Sequence, residues 1–409
     1  MKNLLFAFGI TSVLAGTASA QSSVTLYGTV TGGITYANNV QTAATSKSGK
    51  PVGAALVGQL DSGTAGLNVS RWGLKGTEDL GSGLKTVFVL ESPINENNGT
   101  LGLGGTLFGR QAWVGLSADR YGTFTLGRQG DPSIEFVSPL LPIWYIGNNA
   151  FHPADYDNLN FTHRINNSIK YMSDTYRGFR FGLLYSLGGA AGDLTQNQIW
   201  SAGFRYTGAA LSVAASVVNA RNPNNSLYGT NANATATGNN LGFVGSATAA
   251  GFNPAIVGFA SAHTQQTIAV ATTYVVGSAI FGVAYSTAQF RGLGSVASLN
   301  PKNYGGSTNL RTVGASFRYQ FTPFFRMATS FDHTAGGSAG GNAGAKYEQV
   351  NLAGVYSLSK RTELYITSSL QHASGVDSLG RAAVAQIGYL TPSATNKQIS
   401  VAAGIKYLF

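Results

Sequence analysis

Apolar and polar residues alternate with a period of two along most of the chain from Val24 onward. We find about sixteen such segments, each roughly 9–14 residues long. A transmembrane β-strand needs about 9–11 residues, and its side chains alternate between lipid and lumen. In one segment Leu84 and Phe88 share a face, while Lys85 and Glu91 share the other. The pattern therefore predicts about sixteen strands, each apolar on one side only.

The connections between these segments alternate between short turns and long loops. Seven short turns carry tight-turn residues and lie at Leu80–Gly83, Asp119–Gly122, Tyr176–Gly178, Gly208–Ala210, Gly277–Ala279, Thr322–Pro323 and Ser359–Arg361. Eight long loops cover residues 38–66, 98–106, 129–163, 188–197, 221–265, 291–309, 335–345 and 373–396. Short turns at one end and long loops at the other are typical of outer-membrane barrels, so this pattern predicts sixteen antiparallel strands.

A two-sheet sandwich would also show alternating strands, but its turns would have similar lengths at both ends. A single core in a chain of this length would also exceed the ~250–300 residues at which cores stop growing. A closed barrel avoids this limit because lipid contacts its outer face and closure removes free sheet edges. A barrel of sixteen strands encloses an aqueous channel.

Residues 1–20 are predicted to be a signal peptide. Lys2 gives a positive start, residues 4–15 are mostly apolar, and residues 18–20 (Ala-Ser-Ala) fit a small-residue cleavage site. The apolar stretch is shorter than the ~20 residues that a spanning helix needs. We expect one mature domain, residues 21–409.

Composition agrees with an exported β-barrel and argues against other classes. The chain has no cysteine, so disulfides and thiolate metal sites are not available. Only 10% of residues are charged, against about 25% in typical soluble domains. The net charge of +10 comes from dispersed lysines and arginines, unlike the clustered patch of a nucleic-acid-binding protein. The five histidines are scattered without paired spacing, so we predict no metal site. We also expect no cofactor and no enzymatic activity, because passive diffusion requires neither.

The loop at residues 129–163 differs from the other connections. It has about 35 residues, and loops beyond ~12–15 residues in compact domains are usually functional. Its four acids are Asp131, Glu135, Asp155 and Asp157. Arg128 precedes it and Arg164 follows it. An acidic loop inside a basic tube would act as a charge filter, because rings of charged side chains select ions.

The charged residues also have other possible roles. Strand phase points Arg71 and Lys75 inward, and it points Arg110 away from Trp113, which we expect to face lipid. These cations are either filter residues or ordinary side chains in lumen water. Asp155 and Asp157 could bind a cation or cap a turn instead. Arg128 either lines the pore or pins the loop through a salt bridge.

Several stretches resemble the general trimeric porins of Gram-negative outer membranes, in particular the sub-family typical of betaproteobacteria. They are Ser23–Gly28, Ser70–Gly81, Phe108–Leu116, Thr125–Gln129 and the last strand, which ends at Phe409. The resemblance covers the whole mature chain. It implies an all-β, 16-stranded transmembrane barrel with short periplasmic turns and long extracellular loops. It also implies trimers, and a third loop folded into the lumen with its acids facing wall arginines.

The resemblance assigns some site residues by position. Arg71 and Arg110 match wall arginines of the second and fourth strands, and Arg164 matches the wall arginine after the third loop. The loop departs from the Pro-Glu-Phe-Gly-Gly motif of enterobacterial relatives, so the motif places none of its acids. Thr29 stands where some relatives have lysine.

We therefore expect an outer-membrane porin for passive diffusion of ions and small hydrophilic solutes, with a mild preference for anions. A porin that prefers one anionic metabolite is the alternative within transport, and an adhesin or an outer-membrane barrel enzyme is the alternative from other classes. Expected partners are further copies of the chain, membrane lipid and lipopolysaccharide. The strand that ends in Phe409 is expected to bind the barrel-assembly machinery.

Overall fold

The computed structural model describes residues 22–59, 66–229, 239–242, 253–300 and 302–409. The predicted signal peptide lies outside the described residues, as do parts of the predicted loops at 38–66 and 221–265.

In the described part of the chain, sixteen antiparallel strands form one closed barrel. They are β1 (Ser23–Thr45), β2 (Arg71–Gly81), β3 (Leu84–Asn95), β4 (Gln111–Ala118), β5 (Gly122–Gln129), β6 (Ile165–Met172), β7 (Phe179–Ser186), β8 (Ile199–Thr207), β9 (Leu211–Arg221), β10 (Thr264–Val276), β11 (Ala279–Leu293), β12 (Gly306–Gln320), β13 (Phe325–Gly336), β14 (Lys346–Ser357), β15 (Thr362–Ser374) and β16 (Lys397–Leu408). Each strand pairs with the next along the chain. Pairing of β1 with β16 closes the sheet. The predicted sixteen-stranded barrel is confirmed.

The connections follow the predicted order, and the boundaries of three loops differ. The loop predicted at 98–106 is longer, because β3 ends at Asn95 and β4 begins at Gln111. All seven short turns coincide with junctions between consecutive strands. The first loop begins later than predicted, because β1 continues to Thr45 and pairs with a short strand, Pro51–Gly58. The loop predicted at 291–309 is shorter, because β11 and β12 continue to pair up to Leu293 and Gly306. Both extensions contain mixed polar residues, so the alternation fades although the backbone ladder continues.

The remaining elements lie in the loops. Beside a two-residue strand at Thr100–Leu101 they are short helices at Gly102–Gly105, Pro132–Phe136 and Pro223–Ser226, and 3-10 turns at Ser138–Leu140, Pro142–Trp144, Asn148–Ala150, Pro153–Asp155, Val257–Phe259 and Ala297–Leu299. None of the helices among the described residues is long and apolar enough to cross a membrane.

The two faces of the strands differ in polarity, as the alternation predicts. On β14, Leu352 and Tyr356 are 50% and 48% exposed on the outer face. Their neighbours Asn351 and Val355 point inward and are buried. A closed sheet whose outer face exposes large apolar side chains matches a barrel surrounded by lipid.

Arginine at Leu352 is expected to destabilise the barrel by about 2–4 kcal/mol, the cost of a lipid-facing arginine near the bilayer midplane. The control Tyr356→Arg lies on the same face of β14 but close to its turn, where the cost falls to about 0–1 kcal/mol. Urea-induced unfolding from lipid vesicles measures both free energies of unfolding. Equal costs at the two positions would contradict the assignment of this face to lipid.

Candidate pore constriction

The segment between β5 and β6, residues 130–164, crosses the barrel interior. Tyr156 Oη donates a hydrogen bond to Thr312 Oγ1 on β12 at 2.9 Å. Asn149 Nδ2 donates to Ser400 Oγ on β16 at 3.2 Å. Both wall partners point inward and are buried, and their strands lie far around the barrel from β5. This segment, the crossing loop, therefore lies inside the ring of strands.

The apolar side of the crossing loop packs against a wall of small side chains. Its buried apolar residues include Phe136, Val137, Leu140, Leu141, Ile143 and Ile146. The wall contributes inward-facing alanines, which are Ala214, Ala269, Ala271, Ala328 and Ala353. A Cβ atom on Gly203 would lie only 3.2 Å from Phe136, so glycine leaves room there. The small inward residues of β8, β9, β10, β13 and β14 were a signal that sequence analysis missed.

A second apolar cluster fills another part of the interior. Phe259 of the loop after β9 packs against Phe290 of β11, with ring centroids 5.4 Å apart, and against Tyr304, with ring centroids 6.1 Å apart. Ile256 and Tyr347 belong to the same buried cluster. The wall residues of this cluster lie near the long-loop ends of their strands, so the packed loops occupy the interior at that end of β9 to β15.

A cavity of about 330 Å³ lies between the crossing loop and the part of the wall formed by β2, β3 and the loop after β3. Three predicted wall residues line it, namely Arg71, Arg110 and Arg164. Trp144 and Phe161 line it from the crossing loop. Among the described residues that line this cavity there is no carboxylate. The structure brings the three arginines together and holds the four loop acids away from them.

Glu91 on the inner face of β3 neutralises part of this arginine cluster, a role that sequence analysis did not assign. Its Oε1 accepts a hydrogen bond from Arg110 Nε at 2.6 Å, and its Oε2 lies 3.6 Å from Arg71 Nε. Tyr27 Oη donates to Oε2 at 2.9 Å. Glu91 is 4% exposed, so the pair is shielded from water. Its inward phase was readable from the sequence, but its partners depend on strand register.

Arg110 reaches the interior for a different reason from the one predicted. Val114 and Leu116 form the exposed face of β4, at 51% and 49% exposure. Trp113 is half-buried on the opposite face, so its predicted lipid contact is wrong. If β4 extended back to residue 110, the strand alternation would turn the Arg110 side chain outward, to the same face as Val114 and Leu116. Because β4 begins only at Gln111, Arg110 belongs to the preceding loop and its side chain turns inward.

Arg164 forms no ion pair within the described part of the chain. Its guanidinium lies 4.2 Å from the centroid of the Phe161 ring, and Nη1 donates to Thr162 O at 2.9 Å. Arg164 is 5% exposed, yet its Nε has no hydrogen-bond partner among the described residues. Arg128 is not among the cavity residues, and its Nε donates to Gly109 O at 2.8 Å. Arg128 therefore ties the loop entrance to the preceding loop.

Two of the loop acids are bound to the loop's own backbone. Asp131 caps the helix Pro132–Phe136 by accepting a hydrogen bond from Ser133 N at 2.8 Å. Asp155 accepts from Asn160 N at 2.9 Å. Both aspartates are 1% exposed. Of the alternatives weighed for Asp155, the geometry matches the turn cap.

Asp157 joins the crossing loop to the wall. Its Oδ2 lies 2.6 Å from His152 Nδ1 and accepts from Ser286 Oγ on β11 at 2.5 Å. His152 Nε2 lies 3.8 Å from Asp332 Oδ1 on β13. Burial lowers the pKa of His152, but Asp157 outweighs burial and raises this pKa to about 9, so the imidazole is protonated at neutral pH. We call His152, Asp157, Ser286 and Asp332 the anchor cluster.

Glu135 is the loop acid that reaches water. Its side chain is 44% exposed, and its Oε1 lies 3.2 Å from Lys170 Nζ on β6. Lys170 is a buried inward residue that sequence analysis did not single out. Lys75 lies on the inner face of β2, with Nζ 5.4 Å from the centroid of the Tyr27 ring, and is not among the cavity residues.

Comparison with known proteins gives the family. The profile of a family described as Gram-negative porin matches residues 7–375. An outer membrane porin protein of Bordetella pertussis is 33% identical over 253 residues, which cover 56% of this chain and 62% of the relative. Outer membrane porin protein 32 of Delftia acidovorans is 34% identical over 199 residues, which cover 46% of this chain and 50% of the relative. The matches thus span about half to three fifths of these curated relatives.

Solved structures agree with the family at the level of the fold. An anion-selective porin from Comamonas acidovorans superposes with a TM-score of 0.67 and 21% identity, over 95% of this chain and 100% of that one. OmpT of Vibrio cholerae superposes with a TM-score of 0.60 and 14% identity, over 95% of this chain and 98% of that one. With its closed barrel and a family match across most of its length, the chain belongs to the Gram-negative porin family of the outer membrane.

Proposed function

We propose that the protein forms a water-filled channel through which ions and small hydrophilic solutes diffuse passively, with a preference for anions. The observation that carries this proposal is the charge around the cavity. Arg71, Arg110 and Arg164 line it, and none of the described lining residues is a carboxylate. Glu91 offsets one of the three charges. The remaining positive field attracts anions and repels cations.

The charged residues divide into a filter and its supports. The proposed filter is formed by the cavity arginines Arg71, Arg110 and Arg164. Lys75 and Arg128 lie outside the cavity, and we propose that their charges add to the positive field of the pore wall. Asp131, Asp155 and Asp157 support the loop, because each is 1% exposed and hydrogen-bonded. Glu135 and Lys170 form a mutually neutralising pair.

The assembly and export of the protein are further parts of this proposal. We propose removal of residues 1–20 on export and association of three copies in the membrane. A solved form of Vibrio cholerae OmpT described as a trimer has a similar fold, with a TM-score of 0.57 and 13% identity. Lipid and lipopolysaccharide would contact the exposed apolar outer face, and the barrel-assembly machinery would bind the strand that ends in Phe409.

Reconstitution in planar lipid bilayers tests the proposed function. In a KCl gradient, the folded protein is expected to give stable ohmic current steps and a reversal potential displaced toward that of chloride. A displacement toward potassium would contradict the anion preference. Folded protein without current steps would contradict the channel itself and would favour an adhesin or a barrel enzyme.

A further inference from the structure

The cavity beside the arginines has a lining that diffusion of small hydrophilic solutes does not require. Trp144 is 42% exposed, and Ile143, Phe161 and Tyr389 line the same space. Leu101, from the loop after β3, is also part of the lining. Exposed apolar surface costs about 25 cal/mol per Å² in water. A passing solute with an apolar surface would recover part of this free energy.

The Trp144 ring is held in place as a preformed surface. It ends the 3-10 turn Pro142–Trp144, and its Nε1 donates to Ser138 Oγ at 2.9 Å. Ser138 Oγ in turn donates to Leu159 O at 2.6 Å, inside the packed loop. The polar edge of the indole is therefore satisfied, and its exposed apolar surface remains for contact with a ligand.

The arginines supply the complementary charge. The guanidinium groups of Arg164 and Arg110 lie 4.2 Å and 5.8 Å from the centroid of the Phe161 ring. Arg164 is 5% exposed, and its Nε has no partner among the described residues. A buried donor without a partner is costly, and a carboxylate is one of the anionic groups that a guanidinium binds strongly through paired hydrogen bonds.

We propose that this cavity is a transit site for aromatic carboxylates. The carboxylate pairs with Arg164 and Arg110, and the ring lies against Trp144. This inference rests on the proposed channel function and names the solute class that the constriction favours. The volume of about 330 Å³ is at the lower end of small-molecule sites, roughly 300–1,000 Å³, and suits a single-ring acid.

The site predicts a pattern that a simple anion filter would not produce. A filter that acts by charge and size alone passes acetate more easily than benzoate and holds neither. A site with both an arginine pair and an aromatic surface retains benzoate long enough to obstruct chloride. It retains neither acetate, which lacks the ring, nor benzamide, which lacks the charge.

Chloride current through single channels, measured with benzoate, acetate or benzamide added at equal concentrations, tests the proposal. Benzoate is expected to reduce the current in a saturable way, and the other two solutes are expected to leave it unchanged. Trp144→Ala should raise the benzoate concentration for half-inhibition about tenfold, and Trp144→Phe, which keeps a ring, by less. The control Trp200→Ala removes a tryptophan from the outer face of β8 and should keep the wild-type response to benzoate.

Equal effects of benzoate and acetate on the wild-type current would overturn the proposal, and so would a response to benzoate that Trp144→Ala and Trp200→Ala share. Either result would leave chloride conduction, and hence the proposed channel function, intact. Folded wild-type protein that conducts no chloride would overturn both.

Discussion

Replacing Arg164 with glutamine is expected to lower the anion-to-cation permeability ratio by about fivefold to tenfold. A unit charge about 7 Å from a permeating ion contributes roughly 0.6 kcal/mol across pore water with a dielectric constant of about 80, with opposite sign for an anion and a cation. The permeability ratio therefore changes by the sum of the two, roughly 1.2 kcal/mol. Within the described structure Arg164 has no carboxylate partner, so its whole charge acts on the ion. The reversal potential in a KCl gradient measures the ratio directly.

Glu91→Gln is the control for which a shift of the reversal potential in the opposite direction is expected. Glu91 compensates Arg110 at 2.6 Å and lies 3.6 Å from Arg71. Its loss should move the reversal potential further toward chloride. Arg110→Glu should move it toward potassium, because a second carboxylate then faces Glu91. Unchanged potentials in all three variants would place the selectivity filter elsewhere in the barrel.

Raising the pH through about 9 is expected to release the crossing loop from the wall at the anchor cluster. The pKa of His152 is about 9, above its usual value of about 6.5. The stabilisation from its charge is therefore complete below about pH 6.5 and is lost as the pH rises through 9. Burial and repulsion from Asp157 raise the pKa of Asp155 to about 7. The stabilisation lost by ionising Asp155 therefore disappears between about pH 4 and pH 7, before His152 loses its proton.

Open-channel current noise and the protection factors for amide hydrogen exchange in residues 148–160 measure this release. Between about pH 8 and pH 10 the noise is expected to rise, and the protection factors, which are corrected for the intrinsic base-catalysed rate, are expected to fall. His152→Gln should weaken the docking of the loop by about 3–5 kcal/mol, the cost of breaking a buried ion pair, and should abolish the pH step. His372→Gln, at a side chain that is 40% exposed, is the control that keeps the step. A wild-type loop equally protected at both pH values would contradict the role of the anchor cluster.

The strands were predictable because alternation is a local property. Each lipid-facing strand must present apolar residues at every second position, whatever its neighbours are. The prediction lost accuracy where this requirement ends, as in residues 38–45 of β1, which pair with Pro51–Gly58. In these residues the backbone hydrogen bonds between the strands continue, but the side chains no longer alternate between a lipid-facing and a lumen-facing side.

The site was predictable only in part, because strand phase and family position locate a residue without giving its partners. Arg71, Arg110 and Arg164 line one cavity. The compensating charge came from Glu91, which meets Arg110 through the pairing of β3 with the start of β4. Asp157 is bound by Ser286, 129 positions away in the chain. A local sequence pattern cannot predict a contact between residues so far apart in the chain.

The amino-acid sequence was sufficient to predict the closed barrel, its sixteen strands, its turns and the long third connection. This is because each strand faces lipid on one side and the lumen on the other, which fixes the polarity of alternate residues. The three-dimensional arrangement was needed to decide which charges meet water. Alanines and a glycine spread over five strands make room for the crossing loop, so three of its acids are buried supports. Arg71 of β2, Arg110 of the loop before β4 and Arg164 at the end of the crossing loop thereby share one cavity with Trp144. Such contacts depend on register and packing between distant segments, which no single stretch of the chain encodes.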